Sequence, residues 1–144
     1  MRLPPALLLL CLGAALLGAA EPGPDDVVVP PLKASIYVAS VTLTPGVFER
    51  QGDSYTAAYE VEVWPWRFWD ETGRVTIHLS AGDLARVRAG QPVDFRGEGR
   101  NAKNKPRKVT GQVQPSSPHT GRIKLRISAD GYSLTFNSTY RFAQ

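Results

Sequence analysis

The chain is poor in the residues that carry most enzyme chemistry. Its 144 residues include one cysteine, Cys11, and two histidines, His78 and His119. A structural zinc site needs about four close ligands, and no Asp or Glu recurs beside either histidine at ligand spacing. No metal and no cofactor is therefore expected. Ser116 and Ser117 lie near His119, but in Pro115-Ser116-Ser117-Pro118-His119-Thr120-Gly121, a proline-rich turn without a nucleophile-elbow pattern. Gly97-Glu98-Gly99 lacks the strand-to-helix context of a phosphate loop. No internal repeat is present, and no residue is assigned a catalytic role.

Long apolar runs are scarce too. The main one, Ala6 to Leu17, follows Arg2 and precedes Gly18-Ala19-Ala20. A basic start, an apolar run below the about 20 residues of a membrane span and small residues at its end predict a signal peptide over 1–20. Leu9-Leu10 before Cys11 are not the small residues of a lipoprotein site. Cleavage after Ala20 leaves 124 residues with no cysteine and no transmembrane segment. Such a chain must rely on packing and hydrogen bonds for stability. The short leucine-rich signal and the lack of disulfides point to a periplasmic or extracellular protein of a bacterium. Asn137-Ser138-Thr139 fits a glycosylation acceptor, which matters only in a eukaryotic host.

What is present is β patterning. Residues 21–32 hold four prolines and Val27-Val28-Val29, and read as an extended lead-in that the valines could turn into an edge strand. A single β domain is expected over 33–144. Strands are expected at Ser35–Thr44, Val47–Arg50, Tyr55–Val63, Gly73–Leu79, Pro92–Glu98, Val109–Val113, Arg122–Ser128 and Tyr132–Phe142, separated by turn residues. In the last, Tyr132, Leu134, Phe136, Tyr140 and Phe142 share the inward face, and Asp130-Gly131 predicts a hairpin with its predecessor. One helix is expected over Ala81–Ala89, with Ser80 as cap, Asp83 completing a capping box, Leu79 and Leu84 as a staple, and Gly90 at its end. The fold class is all-β: an antiparallel sandwich or small barrel of about seven strands with one short capped helix. An OB-like barrel with Arg122–Phe142 as an added hairpin is the alternative.

The stretch Tyr59 to Trp69 holds every tryptophan, Trp64, Trp66 and Trp69. A straight strand would put Trp64, Trp66 and Phe68 outward beside Glu60 and Glu62, as a stacking platform. A bulge at Pro65 would instead turn the tryptophans into a plug for the core, and large aromatics are more often core, so the plug is favoured.

Charge is unevenly spread. Glu21 to Ala85 carries four basic and ten acidic residues, and Arg86 to Gln144 twelve basic and three acidic. The densest cluster, Arg100, Lys103, Lys105, Arg107 and Lys108, reads as a flexible loop that could hold phosphates, sulfates or uronates. Its bland reading is solvated surface. The outward row Arg122, Lys124 and Arg126 has its own bland reading, as cross-strand partner of Glu60 and Glu62.

These features predict a non-catalytic exported domain that binds an envelope or extracellular glycan or other polyanion. The ligand-binding residues would be Trp64, Trp66, Phe68, Trp69, Arg100, Lys103, Lys105, Arg107 and Lys108. A second reading makes the aromatic segment a protein–protein interface of an envelope assembly, self-association included. A third makes Glu60 and Glu62, about 7 Å apart on one strand face, the acids of a small glycan hydrolase. Export argues against nucleic acid as a physiological partner.

Overall fold

A computed structural model describes residues 23–143, so the expected signal peptide lies outside the described residues. The chain is all-β with one short helix. Its strands are β1 (Val27–Val28), β2 (Leu32–Ile36), β3 (Ala39–Pro45), β4 (Glu49–Gln51), β5 (Ser54–Trp64), β6 (Glu71–His78), β7 (Val93–Asn101), β8 (Pro106–Pro115), β9 (Thr120–Ala129) and β10 (Tyr132–Phe142), with α1 (Ala81–Arg88) between β6 and β7. They form one antiparallel sheet in the order β1-β10-β9-β8-β7-β6-β5-β3-β2, with β4 also paired to β5. Of the expected sandwich and small barrel, the chain takes the barrel-like form, one sheet curled around its own core, with ten strands against about seven expected. β9 pairs along its length with both β8 and β10, so the last hairpin continues the meander and is no appendage to an OB-like barrel.

The curl follows from period-two alternation joined to a glycine pattern. Inward positions carry the core, among them Val41, Tyr55, Phe95, Val109 and Phe136. Several large inward side chains face a glycine directly across the ladder: Tyr59 opposite Gly73, Phe95 opposite Gly111, and Tyr140 opposite Gly121. A Cβ on Gly121 would stand 2.6 Å from the Tyr140 ring, and one on Gly111 would overlap the Phe95 ring and the Lys124 carbonyl. Lying flat over a bare backbone, each ring fits where strongly bent strands leave little room.

The helix forms where the capping pattern puts it. Ser80 Oγ accepts from the Asp83 amide at 3.1 Å, Gly90 has φ +88°, and Val87 is buried against the sheet. Part of the proline-rich lead-in also packs. β1 pairs with β10, Val29 is buried, and the Asp26 carboxylate accepts from the amides of Gly23 (2.7 Å) and Arg50 (2.9 Å). Arg88 at the end of α1 then ties Asp25 at 2.6 Å.

Two elements differ from expectation. The run Ser35–Thr44 belongs to a hairpin, turning at Tyr37-Val38, with Tyr37 at φ +53°. Neither residue is a usual turn former, which hid the turn. The expected basic loop is mostly strand: β7 runs to Asn101, β8 starts at Pro106, and the Asn101 side chain accepts from the amides of Lys103 (3.0 Å) and Lys105 (2.9 Å). An asparagine bonding its own turn makes this connection compact and ordered.

Candidate functional site

In an antiparallel meander alternate connections share an end. The β2–β3, β5–β6, β7–β8 and β9–β10 connections therefore lie at one end of the curl, and α1 with the β8–β9 loop lies at the other. Exposed large hydrophobic residues concentrate at the first end. Tyr37 and Val38 occupy the β2–β3 turn, Trp64, Phe68 and Trp69 the end of β5 and the loop after it, and Tyr132 the start of β10.

β5 ends at Trp64, whose peptide to Pro65 is cis, and Arg67–Trp69 forms a single 3-10 turn. Asp70 ties the loop back: its carboxylate accepts from the Val63 amide at 2.7 Å and from Arg67 Nε at 2.7 Å. The tryptophans are not a plug for the core. Trp64 is 66 % exposed, Phe68 74 % and Trp69 57 %, and only Trp66 packs on the core, half-buried. The strand stops after Trp64, so the three later aromatics follow the turn and not the strand alternation. Trp69 contacts both Trp66 and Phe68, with ring centroids 5.4 and 5.2 Å apart. That contact makes the loop a preassembled aromatic surface.

The five clustered cations divide three ways. Lys103 and Lys105 are exposed in the β7–β8 turn at the aromatic end, and Arg100 reaches toward that turn, donating to the Asn104 carbonyl at 3.0 Å. Lys108 stands outward on β8, opposite Glu98. Arg107 points inward and is buried, so it is not a loop cation. Its Nη2 donates to Glu71 Oε1 at 2.8 Å and its Nε to Oε2 at 3.2 Å; Tyr59 Oη donates to the same Oε2 at 2.8 Å. Burial by itself would raise the Glu71 pKa, but the bonds from Arg107 and Tyr59 outweigh it and hold the carboxyl below its usual range. Burial, then the bond to Glu71, pushes the Tyr59 phenol above its usual value. This cluster closes the inner side of the aromatic end.

Arg122, Lys124 and Arg126 stand outward on β9. They face Gln114, Gln112 and Thr110 on one side and Thr139, Asn137 and Thr135 on the other. Glu60 and Glu62 are strands away on β5, opposite Thr44 and Thr42, so the expected charge pairing does not occur. Both glutamates are exposed on the outer, convex face, which provides no cleft around a sugar ring. The fold also assembles a triad-like grouping whose members lie 20 or more residues apart in the chain. His78 stands between Ser54, at 3.4 Å from Nδ1, and Glu98, at 2.8 Å from Nε2. It too lies on the exposed outer face, with the His78 and Glu98 side chains 53 % and 63 % exposed, where no cleft shields a reacting group from water. Among the described residues no group of three or more His, Cys, Asp or Glu could hold a metal ion, and no helix is long and apolar enough to cross a membrane.

The interior holds two abutting apolar cavities, of about 140 and about 60 Å³.

The aromatic loop and the basic cluster are legible in the sequence, whereas Tyr37, Val38 and Tyr132 carry no sequence signal as rim residues. β-branched and aromatic neighbours place the first two inside a strand by pattern alone. Strand alternation puts Tyr132 on the inward face, yet it directly follows the Asp130-Gly131 turn and is 67 % exposed. The chain matches no family model, no curated protein and no solved structure. Fold and surface define it as a curled antiparallel β domain with an aromatic and basic rim.

Proposed function

We propose that this is a non-catalytic domain, acting outside the cytoplasm, that binds an anionic glycan or related polyanion at its rim. The observation that carries the reading is the exposure of Trp64, Phe68 and Trp69 at the same end as Arg100, Lys103 and Lys105. Exposed aromatic faces stack on the C–H faces of sugars, and nearby lysines and arginines hold sulfates, phosphates or uronates. Such residues are costly to leave in water unless a partner covers them. The outward row of Arg122, Lys124 and Arg126 among neutral Gln, Thr and Asn side chains offers a polymer further contacts along the sheet. The signal peptide expected over 1–20 supports export, and with it an envelope or extracellular partner.

Tryptophan emission tests this directly. Titration with heparin and with alginate should shift the emission, neutral dextran should do so less, and the response should weaken as salt rises. Trp69→Ala should reduce the affinity about tenfold, in line with about 1–3 kcal/mol for a stacked ring. The reading fails if no polyanion shifts the emission. A concentration-dependent change in sedimentation would then assign the aromatic surface to contact between copies of the chain.

A further inference from the structure

The exposed apolar residues are gathered at one end of the curl. Seven large hydrophobic residues are exposed among the described ones, and all but Val47, the least exposed of them, lie at the rim. Tyr37 and Val38, 96 % and 78 % exposed, form the tip of a turn. Strand order sets the order of tips around the curl: the β2–β3 turn, the tryptophan loop, the basic turn and the β9–β10 turn. The Ser40–Trp64 pairing brings the first beside the second. The Ala102 amide donates to the Thr72 carbonyl at 2.8 Å and ties the third to the strand that follows the tryptophans.

These tips suit a layer of hydrocarbon better than a sugar chain alone. Val38 has no ring to stack on a sugar, and Phe68 has no polar group to bond one. The Phe68 and Trp69 rings stand at 70° and the Trp66 and Trp69 rings at 56°, so they offer no single plane to an extended oligosaccharide. Tyrosine and tryptophan, each with an apolar body and a polar tip, are favoured where lipid headgroups meet acyl chains. The charge at this end matches. Asp70 is paired with Arg67, and Asp130 stands 3.5 Å from Arg107. Lys103 and Lys105 are exposed without an ion pair among the described residues, and cations so placed attract anionic headgroups.

We propose that the rim docks on the surface of an anionic bilayer. Tyr37, Val38, Phe68 and Trp69 enter the layer between headgroups and acyl chains, and Lys103 and Lys105 hold lipid phosphates. This rests on the reading of the rim as a polyanion site and names the polyanion as the headgroup layer of a membrane. The attachment is peripheral, because turns of a few residues reach the boundary layer and not the bilayer centre. Stable attachment of this kind takes two signals, an inserted apolar group and a basic patch. The rim carries both.

Flotation of the mature protein with vesicles of phosphatidylcholine, alone or with a third phosphatidylglycerol, tests the assignment. The mixed vesicles should bind it, the neutral ones about tenfold less, and rising salt should release it. Acyl chains brominated near the headgroup should quench the tryptophan emission of the bound protein. Tyr37→Asn with Val38→Ser should weaken binding to the mixed vesicles about tenfold, since two apolar side chains no longer leave water. It should leave the response to heparin unchanged. Asparagine tolerates the φ of +53° at position 37, so the turn is kept. The proposal is overturned if the mixed vesicles do not bind, if bromines leave the bound protein unquenched, or if the turn variant binds equally well. A heparin response without vesicle binding overturns it while the polyanion reading stands. Vesicle binding without a heparin response upholds it and removes the soluble glycan as partner.

Discussion

Glu71 and Arg107 show how far one residue's role depends on where its strand alternation points it. Both look like surface charges in the sequence, and both are held inside the curl, their side chains 21 % and 9 % exposed. Removing one partner leaves the other buried and unpaired, which is more damaging than losing the pair. Glu71→Gln should therefore destabilise the fold by about 2–3 kcal/mol in urea denaturation, and Glu71→Gln with Arg107→Met should recover much of the loss. The pair also sets an acid limit. The Glu71 pKa is lowered on folding, so its contribution is complete above the unfolded carboxyl value of about 4.3. It is lost as pH falls below that value toward the folded one. The stability of Glu71→Gln should accordingly fall less steeply below pH about 4.3. At the other extreme, burial first of all raises the phenols of Tyr55, to about 12, and of Tyr59 and Tyr140. Their neutral forms stabilise the fold fully below pH about 10, where an unfolded tyrosine ionises, and less as pH rises toward the folded values. Absorbance at 295 nm should show these three remaining protonated in the folded protein above pH about 10, and ionising when urea unfolds it.

At the scale of elements, the legible features were those with strictly local causes. The helix was readable because Ser80, Asp83 and Gly90 act within one or two turns of backbone, and the β9–β10 hairpin because Asp130-Gly131 fixes its own turn. The β2–β3 hairpin was not, since Tyr37-Val38 turns only because β2 and β3 find each other and β5 beyond. The inward glycines were equally silent. Gly111 lowers β propensity in isolation, and its value appears only with the Phe95 ring above it. Gly111→Ala should destabilise the protein by about 1–3 kcal/mol through overpacking. Its denaturation midpoint should drop with little change in the slope. An unchanged midpoint would remove close ring–backbone packing as the cause of the curl.

For the whole molecule, the sheet is curled but not closed by hydrogen bonds. β2 and β10 lie close without a ladder between them, and β10 is paired on that side only near its end, by β1. Amide hydrogen exchange should be slowest in β6, β7 and β8, which have partners on both sides, and faster in β2 and along Tyr132–Tyr140 of β10. Uniform protection around the sheet would mean a closed ladder. The same topology gathers at one rim aromatics as far apart in the chain as Tyr37 and Tyr132.

The amino-acid sequence by itself determined the all-β class, the capped helix, the inward faces of most strands and the excess of positive charge in the later half. Each follows from period-two patterning, capping chemistry or composition, which need no distant partner. Only the tertiary structure decided that Trp64, Phe68 and Trp69 face water, that Arg107 leaves the basic cluster for the interior, and that the Tyr140 ring lies buried over Gly121. Those outcomes depend on where strands end and which strands become neighbours. Both are set by long-range pairing, in which a one-residue change of register moves a side chain from core to surface.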